Sequence, residues 1–181
     1  LKILWLLLFL CSGRRRHARS FHVTGVQTCA LPICTLTRAV DIPVIPSGNW
    51  IQDLSLFEEA LKTGAWNTTR TDATILGGIT PAQKAVSLSA EAGMKCELMS
   101  WGYTLPSAAN LHLMLGCGHC SYYEQPLPYK TFEYGMHDVL RTASDGYVYA
   151  PTGPGLGLAV DWPAMEAATV HRIICDHNST R

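Results

Sequence analysis

Three oxygen-bearing side chains follow or end short predicted strands, which makes them the first candidates for chemistry. Asn49 comes directly after Gly48, Asp72 ends a predicted strand, and Glu124 stands just before Pro126. Amide and carboxylate oxygens bind hard cations such as Mg²⁺, and a buried carboxyl that stays neutral donates a proton. Each residue also has a structural interpretation. Asn49 suits a turn, Asp72 suits a cap and Glu124 suits an exposed surface.

The segment Cys117-Gly118-His119-Cys120 has the spacing of a thiol–disulfide redox motif. Such a motif works at the N-terminus of a helix, where the first thiolate is stabilised. Here it follows a predicted helix and precedes a predicted strand, which is the reverse order. A zinc site would need two further ligands, and only scattered histidines are available. We therefore expect ordinary loop cysteines, with a redox module as a separate alternative.

The elements that must position these residues alternate between strand and helix. Apolar runs bounded by turn residues predict four strands, at residues 42–46, 66–71, 94–99 and 121–124. Helical periodicity predicts three helices between them, at residues 53–62, 80–92 and 106–115. Asp53 is the expected N-cap of the first helix. Thr80 is the expected N-cap of the second helix, with Pro81 at its first position. The alternation predicts βα units with a parallel sheet, either doubly wound or closed into a barrel.

Six segments, in order, resemble the C-terminal half of the barrel domain of the mandelate racemase/muconate lactonizing enzyme branch of the enolase superfamily. They are residues 42–50, 57–65, 72–80, 108–113, 123–126 and 153–157. The resemblance implies an α/β fold of the partial TIM-type (β/α) barrel kind, with about four of the eight βα units and a C-terminal return segment. It also implies a site at the carboxyl ends of the strands.

The resemblance further implies Mg²⁺ and removal of a proton next to a substrate carboxylate. Asn49 matches the third metal ligand, where the usual residue is Glu, and Asp72 matches the aspartate of the sixth strand. Glu124 matches a glutamate that hydrogen-bonds the substrate carboxylate. Met99 stands where a seventh-strand histidine is expected. Racemisation needs a base on each face, so the sequence favours a Mg²⁺-dependent acid-sugar dehydratase. A racemase or cycloisomerase of the same superfamily and a non-catalytic barrel homologue remain alternatives.

The composition is that of an ordinary globular domain. The 181 residues are 48% hydrophobic and 15% charged, with 14 basic and 14 acidic side chains. This balance gives no basic surface for nucleic acid. Seven cysteines, an odd number without framework spacing, predict a reducing, cytoplasmic location. The expected partner is a small sugar-acid carboxylate, with neither nucleic acid nor membrane bound, and the parent protein is expected to be a homo-oligomer.

Residues 1–34 are expected to lie outside the fold. Residues 13–17 and 23–33 look like a translated sequencing-adapter read, and the apolar run at residues 3–10 is far shorter than the roughly 20 residues of a membrane span. Residues 35–181 would then be the C-terminal half of the barrel domain. The matching half would supply the other two metal ligands and a strand-two lysine, so we expect this chain alone to be inactive.

Overall fold

The computed structural model describes residues 32–46, 48 and 51–173. Most of the predicted foreign segment, together with Asn49, therefore lies outside the described residues. The division at residue 34 stays a prediction. In chain order the regular elements are helix α1 over residues 32–39, α2 (Leu54–Lys62), β1 (Thr68–Thr71), α3 (Ile79–Glu91), β2 (Lys95–Leu98), α4 (Thr104–Cys117), a 3₁₀ turn (Tyr129–Thr131) and α5 (Trp162–Ala167).

The centre of the fold is one βαβ unit. Strands β1 and β2 pair in parallel, with Thr68 opposite Lys95 and Thr71 opposite Leu98, and α3 connects them. Two parallel strands need such a crossover connection, and helices usually cover the faces of a parallel sheet. This unit, with α2 before it and α4 after it, makes the α/β partial barrel that the sequence predicted.

Two of the predicted strands do not form ladders. Residues 42–46 are irregular, and Ile42 is 68% exposed, so the prediction of a buried strand there is wrong. Val44 nevertheless lies beside the start of β1, since its carbonyl accepts from Asn67 N at 3.1 Å and Thr68 N at 3.4 Å. Asn67 Oδ1 accepts a hydrogen bond from Val44 N at 2.9 Å. This bond uses the Val44 donor, so the backbone pairing between residues 42–46 and β1 ends after one residue.

The predicted strand at residues 121–124 is also irregular, for a similar reason. Its neighbour along β2 is Glu97, whose carboxylate accepts Ser121 N at 2.9 Å and Tyr122 N at 3.1 Å. A backbone bond from Cys96 N to His119 O, at 3.2 Å, brings the segment alongside β2. Because a side chain occupies the donors that a ladder would use, the segment follows β2 without becoming a strand.

The helices begin where small or acidic residues permit. Asp53 caps α2 as predicted, accepting from Leu56 N at 2.8 Å. The N-cap of helix α3 is Gly78 rather than Thr80, so the helix begins two residues earlier than predicted. Gly78 adopts a φ of 145°, a conformation that favours glycine, so the chain enters the helix before Thr80 is reached. Pro81 then falls in the first turn, where a missing N–H is tolerated.

The core lies between the two strands and the helices. It is built from small and apolar side chains, which let α3 approach the sheet closely: Phe57, Ala60, Ala82, Ala85, Val86, Cys96 and Leu98. A buried hydroxyl pair also joins strand to helix, since Thr69 Oγ1 donates to Ser89 Oγ at 2.6 Å. Residues 125–173 return across the surface with little regular structure. His112 Nε2 lies 3.1 Å from Leu156 O and ties the loop at 153–157 to α4.

Candidate functional site

The carboxyl ends of β1 and β2 lie level with each other. Asp72 follows β1 and Met99 follows β2, and Met99 N donates to Thr71 O at 2.8 Å. The parallel register brings successive strand ends to one edge, which is where barrels of this kind place their chemistry. Met99 therefore lies at the same edge as Asp72.

Asp72 is directed toward helix α4 and its own turn. Asp72 is only 6% exposed. Its Oδ1 atom accepts three hydrogen bonds. These come from Thr74 N at 2.8 Å, Thr74 Oγ1 at 2.8 Å and Asn110 Nδ2 at 2.9 Å. The carboxylate therefore holds the turn after β1, in line with the cap interpretation. These contacts leave its proposed catalytic role untested.

Asn110 is a functional neighbour that the sequence reasoning missed. This side chain is almost fully buried in α4, and Nδ2 also donates to Met99 O at 3.0 Å. Its Oδ1 accepts from Ala73 N at 3.0 Å. One amide thus binds the ends of both strands to α4. The available signal was an uncharged amide side chain in the middle of the predicted helix at residues 106–115.

Glu124 is held at the same edge by backbone and side-chain contacts. Ser100 Oγ accepts from Glu124 N at 2.8 Å and donates to Glu124 O at 2.9 Å. The carboxylate forms an ion pair with Arg70 Nη2. Burial raises the pKa of the Glu124 carboxyl, the Arg70 charge opposes that rise, and the charges of Glu97 and Asp72 add to it. A carboxyl with a raised pKa carries a proton over a wider pH range than an exposed one.

Arg70 is the second residue that sequence reasoning missed. It lies on β1 two residues before Asp72, so the two side chains leave the same face of the strand. Its Nε is buried and has no hydrogen-bond partner among the described residues. Gly48, with φ of 79°, lies against it. A Cβ at Gly48 would meet Arg70 Cγ at 3.0 Å and Met99 Sδ at 3.2 Å. A lone arginine in an otherwise threonine strand was the available signal.

The structure thus brings Glu124, Arg70, Met99 and Gly48 together and directs Asp72 toward α4. Asn49 lies outside the described residues, although its chain neighbour Gly48 packs on this group. Trp101 stands at the rim, 54% exposed, with its ring 4.9 Å from that of Phe132.

Comparison with known proteins identifies the fold around this site. The model of the family described as enolase C-terminal domain-like matches residues 28–164. The chain belongs to this family. A protein assigned to the mandelate racemase/muconate lactonizing enzymes of Pseudovibrio sp. is 39% identical, with a TM-score of 0.74 over 77% of this chain and 37% of that one. Membership of this branch of the enolase superfamily, and the partial barrel fold, are confirmed.

A dehydratase and a member of a dehydratase family are also similar to this enolase-family chain. D-glucarate dehydratase from Agrobacterium tumefaciens, complexed with magnesium, is 28% identical with a TM-score of 0.62, over 78% of this chain and 37% of that one. A D-galactonate dehydratase family member from Enterococcus gallinarum is 29% identical over 103 residues, which are 56% of this chain and 26% of that protein. Structures named as racemases and cycloisomerases share the fold. The chain spans well under half the length of these relatives.

The described residues of this enolase-family chain do not make a magnesium site by themselves. Among residues 32–46, 48 and 51–173, no group of three or more His, Cys, Asp or Glu side chains is placed to hold a metal ion. The carboxylates of the site already have partners. Asp72 accepts from Thr74 and Asn110, whereas Glu124 pairs with Arg70.

No helix in the described part of the chain has the length and apolar character to cross a membrane.

The cysteine motif lacks the features of a redox site. Cys117 ends helix α4, Gly118 is its left-handed C-cap, and Cys117 and Cys120 are free thiols. Burial raises the pKa of the Cys117 thiol, the one that a redox motif would activate, and raises the pKa of Cys120 to about 12. Cys120 Sγ donates to Cys96 O at 2.8 Å. A redox cysteine needs a lowered thiol pKa, so the redox-module alternative is wrong and the loop-cysteine interpretation stands.

Proposed function

We propose that the protein containing this chain is a Mg²⁺-dependent acid-sugar dehydratase, which removes the proton next to a carboxylate and then expels water. The observation that carries the proposal is the half-buried Glu124 carboxyl at the strand ends, beside Met99, a residue that cannot accept a proton. The D-glucarate dehydratase at 28% identity and the D-galactonate dehydratase family member at 29% identity support the same reaction class.

Glu124 is the residue proposed to contact the substrate carboxylate. Loss of a proton next to a carboxylate builds up negative charge on that group, and a neutral carboxyl stabilises it by donating a hydrogen bond. Burial, which raises the pKa of Glu124, favours the protonated form that this role needs. Ser100, which bonds both the N–H and the carbonyl of Glu124, fixes the backbone from which the carboxyl reaches the site.

Asp72 and Asn49 complete the proposed site. Asp72 holds the turn after β1 and, through Asn110, keeps the ends of both strands in place. Asn49 is proposed as one oxygen ligand of a Mg²⁺ ion whose other ligands are not among the described residues. An amide oxygen carries no charge, so it binds Mg²⁺ more weakly than the usual glutamate would. When bound, the ion supplies positive charge beside the developing enolate.

The presence of Met99 ranks dehydratase above racemase and cycloisomerase. A racemase needs a base on each face of the substrate carbon, whereas a dehydratase needs one base and an acid for the departing hydroxyl. The thioether of Met99 fills the place of one of these bases. A non-catalytic barrel homologue is the remaining alternative. The proposed substrate is a sugar acid, and the proposed assembly is a homo-oligomer.

An assay of the complete polypeptide that contains this chain tests the proposal. The protein is incubated with Mg²⁺ and a panel of aldonic and aldaric acids in deuterated water. We expect 2-keto-3-deoxy acids to form, EDTA to stop their formation, and Glu124→Gln to lower kcat/KM by about a hundredfold or more. Glu133→Gln is the matched control, since Glu133 pairs with Arg141 away from the site.

The other possible results each contradict the proposal in a recognisable way. Deuterium incorporation with inversion and without loss of water would identify a racemase. Formation or opening of a lactone would identify a cycloisomerase. Neither exchange nor product, with a folded protein and every acid of the panel, would leave the non-catalytic homologue.

A further inference from the structure

Arg70 is a cation placed inside the site, and one of its buried donors has no partner among the described residues. A guanidinium has five N–H donors in a rigid plane. Glu124 accepts from Nη2, and the buried Nε has no partner among the described residues. A buried donor without a partner is destabilising, so this position favours the binding of an acceptor.

The unused donor lies on the same edge of the guanidinium as the used one. Nε and Nη2 form a side of the planar group that binds both oxygens of one carboxylate in parallel. Glu124 contacts this edge at Nη2 only. Among the described residues the edge is therefore half occupied, by a side chain that is itself 34% exposed.

The other carboxylates near the site are bound elsewhere. Asp72 Oδ1 accepts from Thr74 and Asn110, and Glu97 accepts the backbone N–H groups of Ser121 and Tyr122. Neither has a hydrogen bond to Arg70 in the described residues. Glu124 is thus the competitor that an incoming acid must displace.

We propose that Arg70 is a substrate-carboxylate-binding residue, which takes both oxygens of an acid on its Nε and Nη2 edge when Glu124 moves aside. The choice of a sugar acid as that ligand rests on the proposed function. Gly48 makes the arrangement possible, because a side chain there would press on Cγ and Cδ of Arg70 at 3.0 and 3.2 Å. The displaced Glu124, once protonated, donates to the same bound carboxylate.

The proposal makes Glu124 a competitor of the ligand, which separates it from a purely structural ion pair. If the two carboxylates compete for one edge, neutralising Glu124 strengthens the binding of an acid. If Arg70 only holds Glu124 in place, neutralising Glu124 leaves binding unchanged or weaker. The same experiment therefore decides between the two roles.

Arginine side-chain NMR on the 181-residue chain, without Mg²⁺, tests this directly. The Arg70 Nε–H signal is assigned from its loss in Arg70→Lys and followed while D-gluconate is added. We expect the signal to move downfield and saturate, and Glu124→Gln to lower the Kd by about tenfold. Arg70→Lys keeps the positive charge but removes the paired Nε and Nη2 donors. It should weaken gluconate binding at least tenfold. Arg141→Lys, at the exposed Arg141–Glu133 pair, should leave the Kd unchanged.

Two results would overturn the inference. One is an Arg70 Nε–H signal that does not respond to millimolar gluconate in the wild type and in Glu124→Gln. The other is a Kd that Glu124→Gln leaves unchanged or raises. Because the measurement uses neither Mg²⁺ nor turnover, gluconate binding here, together with no dehydration of any acid by the complete polypeptide, would refute the proposed function alone. Dehydration by the complete polypeptide with a silent Arg70 signal here would refute this inference alone.

Discussion

Asn110 is the single residue on which the geometry of the strand ends depends most. Its amide bonds Asp72, Ala73 and Met99 from a position 1% exposed. Removing it leaves a buried carboxylate oxygen, an N–H and a carbonyl short of a partner. We expect Asn110→Ala to lower the free energy of unfolding by about 2–4 kcal/mol, measured by urea titration.

Asn67→Ala is the control for that measurement. Asn67 also bonds the backbone through its side chain, to Val44 N at 2.9 Å, but it is exposed. Its loss should cost less than about 1 kcal/mol, because water replaces the missing acceptor. Equal losses in the two variants would contradict the importance assigned to Asn110.

Glu124 should make stability depend on pH in the direction opposite to that of most carboxylates. Because burial raises its pKa in the fold, the folded chain binds more protons than the unfolded chain above the ordinary pKa of a glutamate. Its favourable contribution is complete below that ordinary pKa and is lost as pH rises through the raised value. Arg70 limits the shift, and Glu97 and Asp72 enlarge it.

Urea titrations from pH 4 to pH 7 check this sign. The stability of the wild type relative to Glu124→Gln should fall as pH rises through the weakly acidic range. Glu133 provides the contrast, since its hydrogen bond to Arg141 lowers its pKa. Relative to Glu133→Gln, the wild type should gain stability as pH rises. The same slope in both comparisons would contradict the pKa directions.

Residue types and spacing placed Asp72, Met99 and Glu124 at the strand ends, but they did not identify Arg70 or Asn110. Alternation along a strand tells which residues share a face. It does not tell that a residue 54 positions away will supply the counter-ion. Likewise, an asparagine within an apolar helix gives no sign of its three partners until the helix is docked.

At the scale of elements, the N-cap of α2 is the predicted residue, whereas the N-cap of α3 is not. Asp53 caps α2 through a 2.8 Å bond, whereas Thr80 makes no cap because Gly78 already occupies that position. Asp53→Ala should cost about 1 kcal/mol of stability. Thr80→Ala should change stability by less than about 0.5 kcal/mol, as an exposed residue without a cap bond does. Denaturant midpoints measure both, and a larger loss for Thr80→Ala would restore the original prediction.

Helices were easier to predict than strands for a physical reason. A helix satisfies its own backbone, so periodicity and caps located α2, α3 and α4 to within a few residues. A strand needs a hydrogen-bonded neighbouring strand, and sequence periodicity does not indicate which segment that neighbour is. Residues 42–46 and 121–124 have strand-like composition, but the side chains of Asn67 and Glu97 take the backbone donors that pairing would use.

At the scale of the molecule, apolar side chains remain uncovered beside the outer side of β1. Ile42 is 68% exposed and Ile45 is 39% exposed. Exposed apolar residues next to an incompletely paired strand favour association. We expect the 181-residue chain to self-associate with rising concentration, and Ile42→Lys to reduce this in light scattering after gel filtration. Ile173→Lys, at an isoleucine that is 78% exposed near the C-terminal end of the described chain, should have a smaller effect.

The global architecture was predicted through resemblance rather than from periodicity. Strand–helix alternation allowed both a doubly wound sheet and a barrel, and only the order of the six segments favoured the barrel. The return segment at residues 125–173 has few regular elements for a pattern to predict. Side-chain bonds such as His112 to Leu156 hold it in place.

The register of β1 and β2 has a consequence for the order in which parts of the chain open. Each paired position is separated by the same 27 residues, from 68 to 95 and from 71 to 98, and α3 fills that interval. Closing so short a loop costs little entropy, whereas the return segment depends on sparse, largely exposed bonds. In native-state hydrogen exchange, the amide of Met99, bonded to Thr71 O, should therefore exchange last. The amide of Asp161, bonded to Gly135 O at 2.9 Å, should exchange orders of magnitude sooner. The βαβ unit would then outlast the rest of the molecule as a separate cooperative unit.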